Sequence, residues 1–226
     1  MLTGNNSSSP YAKNRSAGAE QVRSDITHLK SAQNRGELGT MISLIVLRNS
    51  PMDIGQMLYN FKEKIRDVTP EYRDRLQEKI TGHLLGTWQT LRLMQQQGAF
   101  AHMKEPVPAE VNTYWDMVAV HCGSESDESR LRFLKFLIAG FCMFVRHEPG
   151  HPVGTPFPGG ETVQYIDGTY YCPVQEKAND VDAALCPFCP ALLTPSIGYL
   201  KPPVNPSLHQ KQEFIRNCHD FHNFNG

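Results

Sequence analysis

Apolar residues recur at helical spacing over most of this chain. Ile54, Met57, Leu58, Phe61 and Ile65 form one such stripe, at intervals of three and four residues. Stripes of this kind are typical of amphipathic helices with one face in a core. The pattern predicts helices at roughly 19–34, 37–48, 51–65, 70–97, 108–121, 127–146 and 206–221.

Two of the predicted helices have clear start signals. Ser50 precedes Pro51 and Asp53, and Thr69 precedes Pro70 and Glu71. A hydroxyl residue caps the free N–H groups of a helix, proline suits the first helical position, and an acidic residue suits the first turn. We therefore expect helices to begin at Pro51 and Pro70.

The segment 127–146 is apolar around most of its circumference. Its most apolar run, 133–145, is too short to cross a bilayer and carries Lys135. A helix that is apolar on all sides usually lies in the middle of a bundle. We expect this helix to be the centre of the fold.

The character of the chain changes after residue 148. Prolines and glycines dominate 149–160, which excludes a helix or a central strand there. Two short β-type runs follow at 162–166 and 169–172, separated by Asp167-Gly168. This dipeptide is a strong signal for a two-residue hairpin. The predicted fold class is mainly α: a helical bundle with a small C-terminal β-hairpin and a cysteine metal-knuckle region.

The composition bears on the domain organisation of the chain and on the kinds of partner it can bind. Residues 1–18 are rich in Asn, Ser and Gly and are expected to be a disordered tail, without the apolar region of a signal peptide. Residues 19–226 are expected to form a single helical domain, in which 147–200 supply the loop, the hairpin and the cysteine site. The net charge of −1 gives no support to nucleic-acid or membrane binding. The expected compartment is the cytosol, where thiols stay reduced.

The cysteines supply the main candidate chemistry. Cys186 and Cys189 form a C-x-x-C pair, and Cys172 closes the predicted hairpin; each of the three precedes a proline. A C-x-x-C turn lets two thiolates face one ion, and a cysteine leaving a nearby hairpin can be a third ligand. The spacing predicts a metal site at these residues. Two alternatives remain: buried apolar cysteines and a redox dithiol.

The fourth ligand is open. Cys218 would complete a four-cysteine set, although it shares a helix face with two phenylalanines and can equally pack in the core. His147, His151 and His219 are the next candidates. Such a set suits zinc or a 4Fe-4S cluster, with a slight preference for zinc.

The string His147-Glu148-Pro149-Gly150-His151 matches the H-E-x-x-H motif of zinc proteases. That motif needs a continuous helix to bring both histidines to one face, and Pro149-Gly150 ends a helix there. The motif is therefore interpreted as a helix end. A further interpretation is that His147, Glu148 and His151 line a pocket, where they are weak candidates for catalysis.

Three strings resemble an uncharacterised domain-of-unknown-function family of methanogenic archaea, of the DUF2115 or UPF0305 type. They are EPGHPVGTPFPGG at 148–160, GTYYCPV at 168–174 and LCPFC at 185–189. The resemblance implies a methanogen source and an anaerobic cytosol, which favours an iron–sulfur cluster somewhat. It implies no established activity and no catalytic role.

Three functions follow as hypotheses. The first is a non-enzymatic zinc-stapled helical module that binds a partner protein, since no complete catalytic constellation is seen. The second is a 4Fe-4S enzyme or electron-transfer protein with a pocket at His147, Glu148 and His151. The third is metal-dependent hydrolysis through His147 and His151.

Overall fold

A computed structural model of the chain describes residues 10–124, 126–175 and 184–195. Within these ranges the fold is mainly α, as the sequence predicts, with six α-helices and a small sheet. The helices are α1 (Pro10–Leu29), α2 (Arg35–Val46), α3 (Pro51–Lys64), α4 (Pro70–Gln96), α5 (Glu110–Cys122) and α6 (Asp127–Gly140). None of the helices in these ranges is long and apolar enough to span a membrane.

The predicted helix starts are confirmed. Pro51 and Pro70 occupy the first positions of α3 and α4. A carboxylate oxygen of Asp53 accepts hydrogen bonds from the backbone N–H of Ser50 at 2.7 Å and from its hydroxyl at 2.9 Å. This local network fixes the first turn of α3. Past the end of α4, Gly98 adopts a φ of 65°, a left-handed conformation that glycine allows without strain.

The centre of the fold is α6, as predicted, but its last turn is wider than a regular α-helix. The segment Phe141–Val145 forms a π-helical turn, and the N–H of Arg146 bonds to the carbonyl of Phe141 at 3.1 Å. The side chains of this turn are all buried. Pattern reasoning has no means of placing a π turn inside an apolar run.

The small sheet lies after this core. Strand β1 (Gln164–Ile166) pairs antiparallel with β2 (Thr169–Cys172), which confirms the hairpin. Asp167 and Gly168 both have positive φ, at 48° and 82°, as a two-residue hairpin turn requires. A third strand, β3 (Leu192–Leu193), pairs parallel to β2 and was not predicted.

The start of the chain differs from the expected organisation. Helix α1 begins at Pro10, within the segment expected to be a disordered tail. Its later part, from Val22, packs into the main core. The predicted helix at 206–221 lies outside the described residues.

Two helical glycines with different surroundings allow a matched test of stability. A Cβ on Gly36 would lie 2.1 Å from the carbonyl oxygen of Phe100, whereas a Cβ on Gly55 would meet nothing within 4 Å. We expect Gly36→Ala to lower the free energy of unfolding by about 2–3 kcal/mol, since backbone must move to admit the methyl group. Gly55→Ala should raise it by about 0.5–1 kcal/mol through helix propensity. Urea denaturation measures the free energy of unfolding of both variants. Equal unfolding midpoints for Gly36→Ala and Gly55→Ala would contradict the close packing of α2 against Phe100.

Candidate metal centre

The β2–β3 pairing brings two of the three predicted cysteines together. Cys172 is the last residue of β2, and its carbonyl accepts a hydrogen bond from the N–H of Thr194 at 3.2 Å. Cys189 lies three residues before β3 and packs in the same apolar cluster as Cys172, around Phe157 and Ala191. The parallel strand that sequence analysis missed is therefore what joins the hairpin to the C-x-x-C turn.

The C-x-x-C turn itself is a short 3₁₀ helix, Cys186–Phe188, with Pro187 in its first turn. The N–H of Cys189 closes the turn on the carbonyl of Cys186 at 3.2 Å. That carbonyl also accepts a hydrogen bond from the Gln175 side chain at 2.9 Å. Because Gln175 follows Cys172 by three residues, this bond ties the hairpin exit to the turn. We call Cys172, Cys186 and Cys189 the cysteine corner.

The thiols of the cysteine corner influence one another electrostatically. Burial and, to a smaller extent, the nearby thiols of Cys189 and Cys172 together raise the pKa of Cys186 to about 12. Burial also raises the pKa of Cys189, while N–H groups of Ala191 and Gly150 oppose that shift by donating to its sulfur. Thiols in this setting stay neutral unless a positive charge lies among them.

The geometry does not yet amount to a coordination site. In the ranges described, no three His, Cys, Asp or Glu side chains form a group that could hold a metal ion. Cys218 and His219, both candidates for the fourth ligand, lie outside those ranges. All five cysteines described are free thiols. Metal binding at the cysteine corner stays a prediction, and it requires the three sulfur atoms to move closer together.

The H-E-x-x-H string lies at a helix end, as Pro149-Gly150 predicts. The π turn ends at Val145, and His147 adopts a left-handed φ of 55°. Glu148 forms an ion pair with Arg146, and its N–H bonds to the carbonyl of Cys142 at 2.9 Å. The two histidines therefore do not share a helix face, which the protease geometry requires.

The histidines of this string lie in different surroundings. His147 is near Arg35 and Glu105; burial lowers its pKa, Arg35 lowers it further, and Glu105 opposes the shift. His151 stacks edge-to-face on Phe157, with ring centroids 5.7 Å apart, and lines a cavity of about 70 Å³. Metal-dependent hydrolysis through both residues gains no support from this arrangement.

The loop nevertheless reaches the cysteine corner through its backbone. The N–H of Gly150 donates to the sulfur of Cys189. A Cβ on Gly150 would approach Leu185 to 3.2 Å, so the loop packs closely on the residue before the C-x-x-C turn. The sequence marks Gly150 only as part of a helix-ending Pro-Gly pair. No pattern in the sequence marks it as a partner of Cys189, because the contact is between distant segments.

Comparison with known proteins places the chain among archaeal sequences. A family described as "Uncharacterized protein conserved in archaea (DUF2115)" matches residues 34–194. A UPF0305 protein of Methanopyrus kandleri is 39% identical over 71 residues, which are 31% of this chain and 50% of the relative. A UPF0305 protein of Methanothermobacter thermautotrophicus is 52% identical over 52 residues, which are 23% of this chain and 34% of the relative.

These matches cover only part of each protein. The chain spans half or less of the length of the relatives just described. A UPF0305 protein of Methanococcus maripaludis, 34% identical over 62 residues, is matched over 27% of this chain and 37% of its own length. No solved structure matches the chain.

Proposed function

The chain belongs to the DUF2115 family of uncharacterised archaeal proteins, and we propose that it is a zinc-stapled helical module that binds a partner protein through its small sheet. Zinc would be held by Cys172, Cys186 and Cys189, with Cys218 as the fourth ligand. Four thiolates around zinc form a closed site that contributes to folding rather than to catalysis. The proposal includes a cytosolic location, because a reducing compartment keeps such thiols available.

The electrostatics of the cysteine corner support the metal. The thiols of Cys172 and Cys189 raise the pKa of Cys186, which means that neighbouring thiolates repel one another. A divalent cation among the thiols lowers their pKa instead, since a coordinating thiol loses its proton outright. The N–H groups of Gly150 and Ala191 already donate to Cys189, as outer-shell donors do around a metal-bound thiolate.

The size of the sheet supports a stapling role. Its strands span three, four and two residues. A sheet this small has few ladder hydrogen bonds and is marginal without help from packing or cross-links. A metal that joins the end of β2 to the turn before β3 would hold the three strands in register.

Exposed apolar residues on both edge strands of the sheet carry the proposal of a partner. Tyr165 and Ile166 on β1 are 55% and 48% exposed, and Leu192 and Leu193 on β3 are 56% and 38% exposed. Four large apolar side chains exposed on so small a sheet are unusual on a surface that faces only water. Strands β1 and β3 are also the two edges of the sheet, where backbone groups can pair with another chain.

A 4Fe-4S cluster on the same cysteines is the alternative, in an enzyme or electron-transfer protein. Its specific support is the contact of the Glu148 and His151 loop with the cysteine corner through Gly150. Hydrogen bonds to cluster sulfur ligands tune the reduction potential of a cluster. A loop that carries ionisable groups beside such a ligand would suit electron or proton transfer.

The metal is tested by anaerobic purification followed by elemental analysis. We expect colourless protein with one zinc per chain, and we expect Cys186→Ala to lose the zinc because one thiolate ligand is removed. Cys122→Ala is the matched control, since Cys122 is a buried thiol on α5 far along the chain from the cysteine corner. Brown protein that contains iron and acid-labile sulfide would contradict the zinc proposal and support the 4Fe-4S cluster. Wild-type protein that takes up neither metal would contradict both proposals.

The partner surface is tested by site-specific photo-cross-linking. A photoreactive residue at Ile166 should cross-link one protein in an anaerobic extract of the source organism, and the cross-link should disappear in the Cys186→Ala background. The matched control position is Val120 on α5, which is also exposed and apolar. Equal cross-linking from both positions would contradict a binding surface on the sheet. A cross-link that survives loss of the metal would contradict the role of the metal in holding that surface in place.

A further inference from the structure

A small cavity lies beside the centre of the bundle, and two of its lining residues, Gly150 and Leu185, adjoin the cysteine corner. Its volume is about 70 Å³, and its walls come from α3, α4, α6 and the loop at Gly150 and His151. Most of the lining is apolar, with residues such as Phe61, Leu84 and Ile138. Three nitrogen-bearing side chains also line it: Lys135, His83 and His151. A mostly apolar cavity with a few convergent polar groups is the usual form of a small-molecule site.

Lys135 is the unusual member of this lining. It is only 8% exposed, on a helix whose neighbouring side chains are almost all apolar. Its Nζ lies 4.5 Å from the centroid of the Phe136 ring. Lysine is almost never this deeply buried, because removing an ammonium ion from water is costly. A core position that needs only packing would be filled more stably by leucine or methionine.

The surroundings of Lys135 favour the neutral amine. Burial lowers the pKa of Lys135 to about 7, a net value that includes the opposing effect of Cys122 and smaller lowering effects of Lys64 and Arg132. Burial and the charge of Arg146 lower the pKa of His83 to about 4, so that imidazole is neutral at pH 7. A desolvated lysine of this kind is a nucleophile at neutral pH, which an exposed lysine is not.

We propose that this cavity binds a small uncharged carbonyl compound, an aldehyde or ketone of about three to five non-hydrogen atoms, which forms an imine with Lys135. The size follows from the volume, since each water in the liquid occupies about 30 Å³ and the cavity therefore has room for two or three. The lack of charge follows from the apolar lining, because a carboxylate would lose its hydration on entering.

The reaction balances without a redox partner. The lone pair of the neutral Lys135 nitrogen attacks the carbonyl carbon, and the carbonyl oxygen takes up a proton to give a carbinolamine. Loss of the hydroxyl group as water, with the remaining proton of the nitrogen, then leaves the C=N bond. The neutral imidazole of His83 lines the same cavity and offers it one N–H donor and one acceptor nitrogen.

The proposal is tested on the unmodified, full-length protein by reductive trapping. The chain is treated briefly at pH 7 with propanal, which has four non-hydrogen atoms, and cyanoborohydride; labelled lysines are then located by peptide mass spectrometry. We expect Lys135 to be labelled on the order of 1000-fold faster than the exposed Lys104, because about half of an amine with a pKa near 7 is neutral at pH 7, against fewer than about one in a thousand for an ordinary lysine.

Two controls separate the cavity from general reactivity. Benzaldehyde, which is too large for the cavity, should label Lys135 no faster than Lys104. In urea, where the chain is unfolded, propanal should label both lysines at similar rates. Folded protein in which propanal labels Lys135 no faster than Lys104 would overturn the proposal. Equal preference for Lys135 with both aldehydes would overturn the assignment of the reaction to the cavity.

Discussion

Burial of α6 on all sides is the constraint on which the other elements depend. From Leu131 to Val145 the described side chains are buried almost without exception. Each apolar side chain of this size contributes about 1.5–3 kcal/mol when it leaves water, so the helix is stable only when other helices surround it. Close approach is needed as well: a Cβ on Gly140 would lie 3.1 Å from both Tyr114 and Trp115 of α5.

The end of this central segment determines where the candidate chemistry lies. The guanidinium of Arg35 donates to the carbonyl of Val145, which compensates the negative end of the π turn. His147 then turns the chain through its positive φ, and the loop passes Gly150 against Cys189. The core thus fixes the loop, and the loop fixes one side of the cysteine corner. The same loop closes the cavity of Lys135, so both proposed sites depend on where α6 ends.

Features set by neighbouring residues could be predicted from the sequence. The capping of α3 by Ser50 and Asp53, the start of α4 at Pro70 and the Asp167-Gly168 turn are local, and all were confirmed. The π turn and the pairing of β3 with β2 could not be predicted, because each depends on contacts between distant segments. The candidate site was predictable in part for the same reason. The C-x-x-C spacing identifies Cys186 and Cys189, whereas the contact of Gly150 with Cys189 forms only in the folded chain. Lys135 stood out in the sequence only as a charge in an apolar run.

The central claim is that the cysteine corner holds one metal ion through sulfur. X-ray absorption at the zinc edge, on protein loaded with one equivalent of zinc, tests this most directly. The account predicts a shell of three or four sulfur atoms at about 2.3 Å. A first shell made only of nitrogen and oxygen at about 2.0–2.1 Å would contradict it, because zinc would then be bound away from Cys172, Cys186 and Cys189.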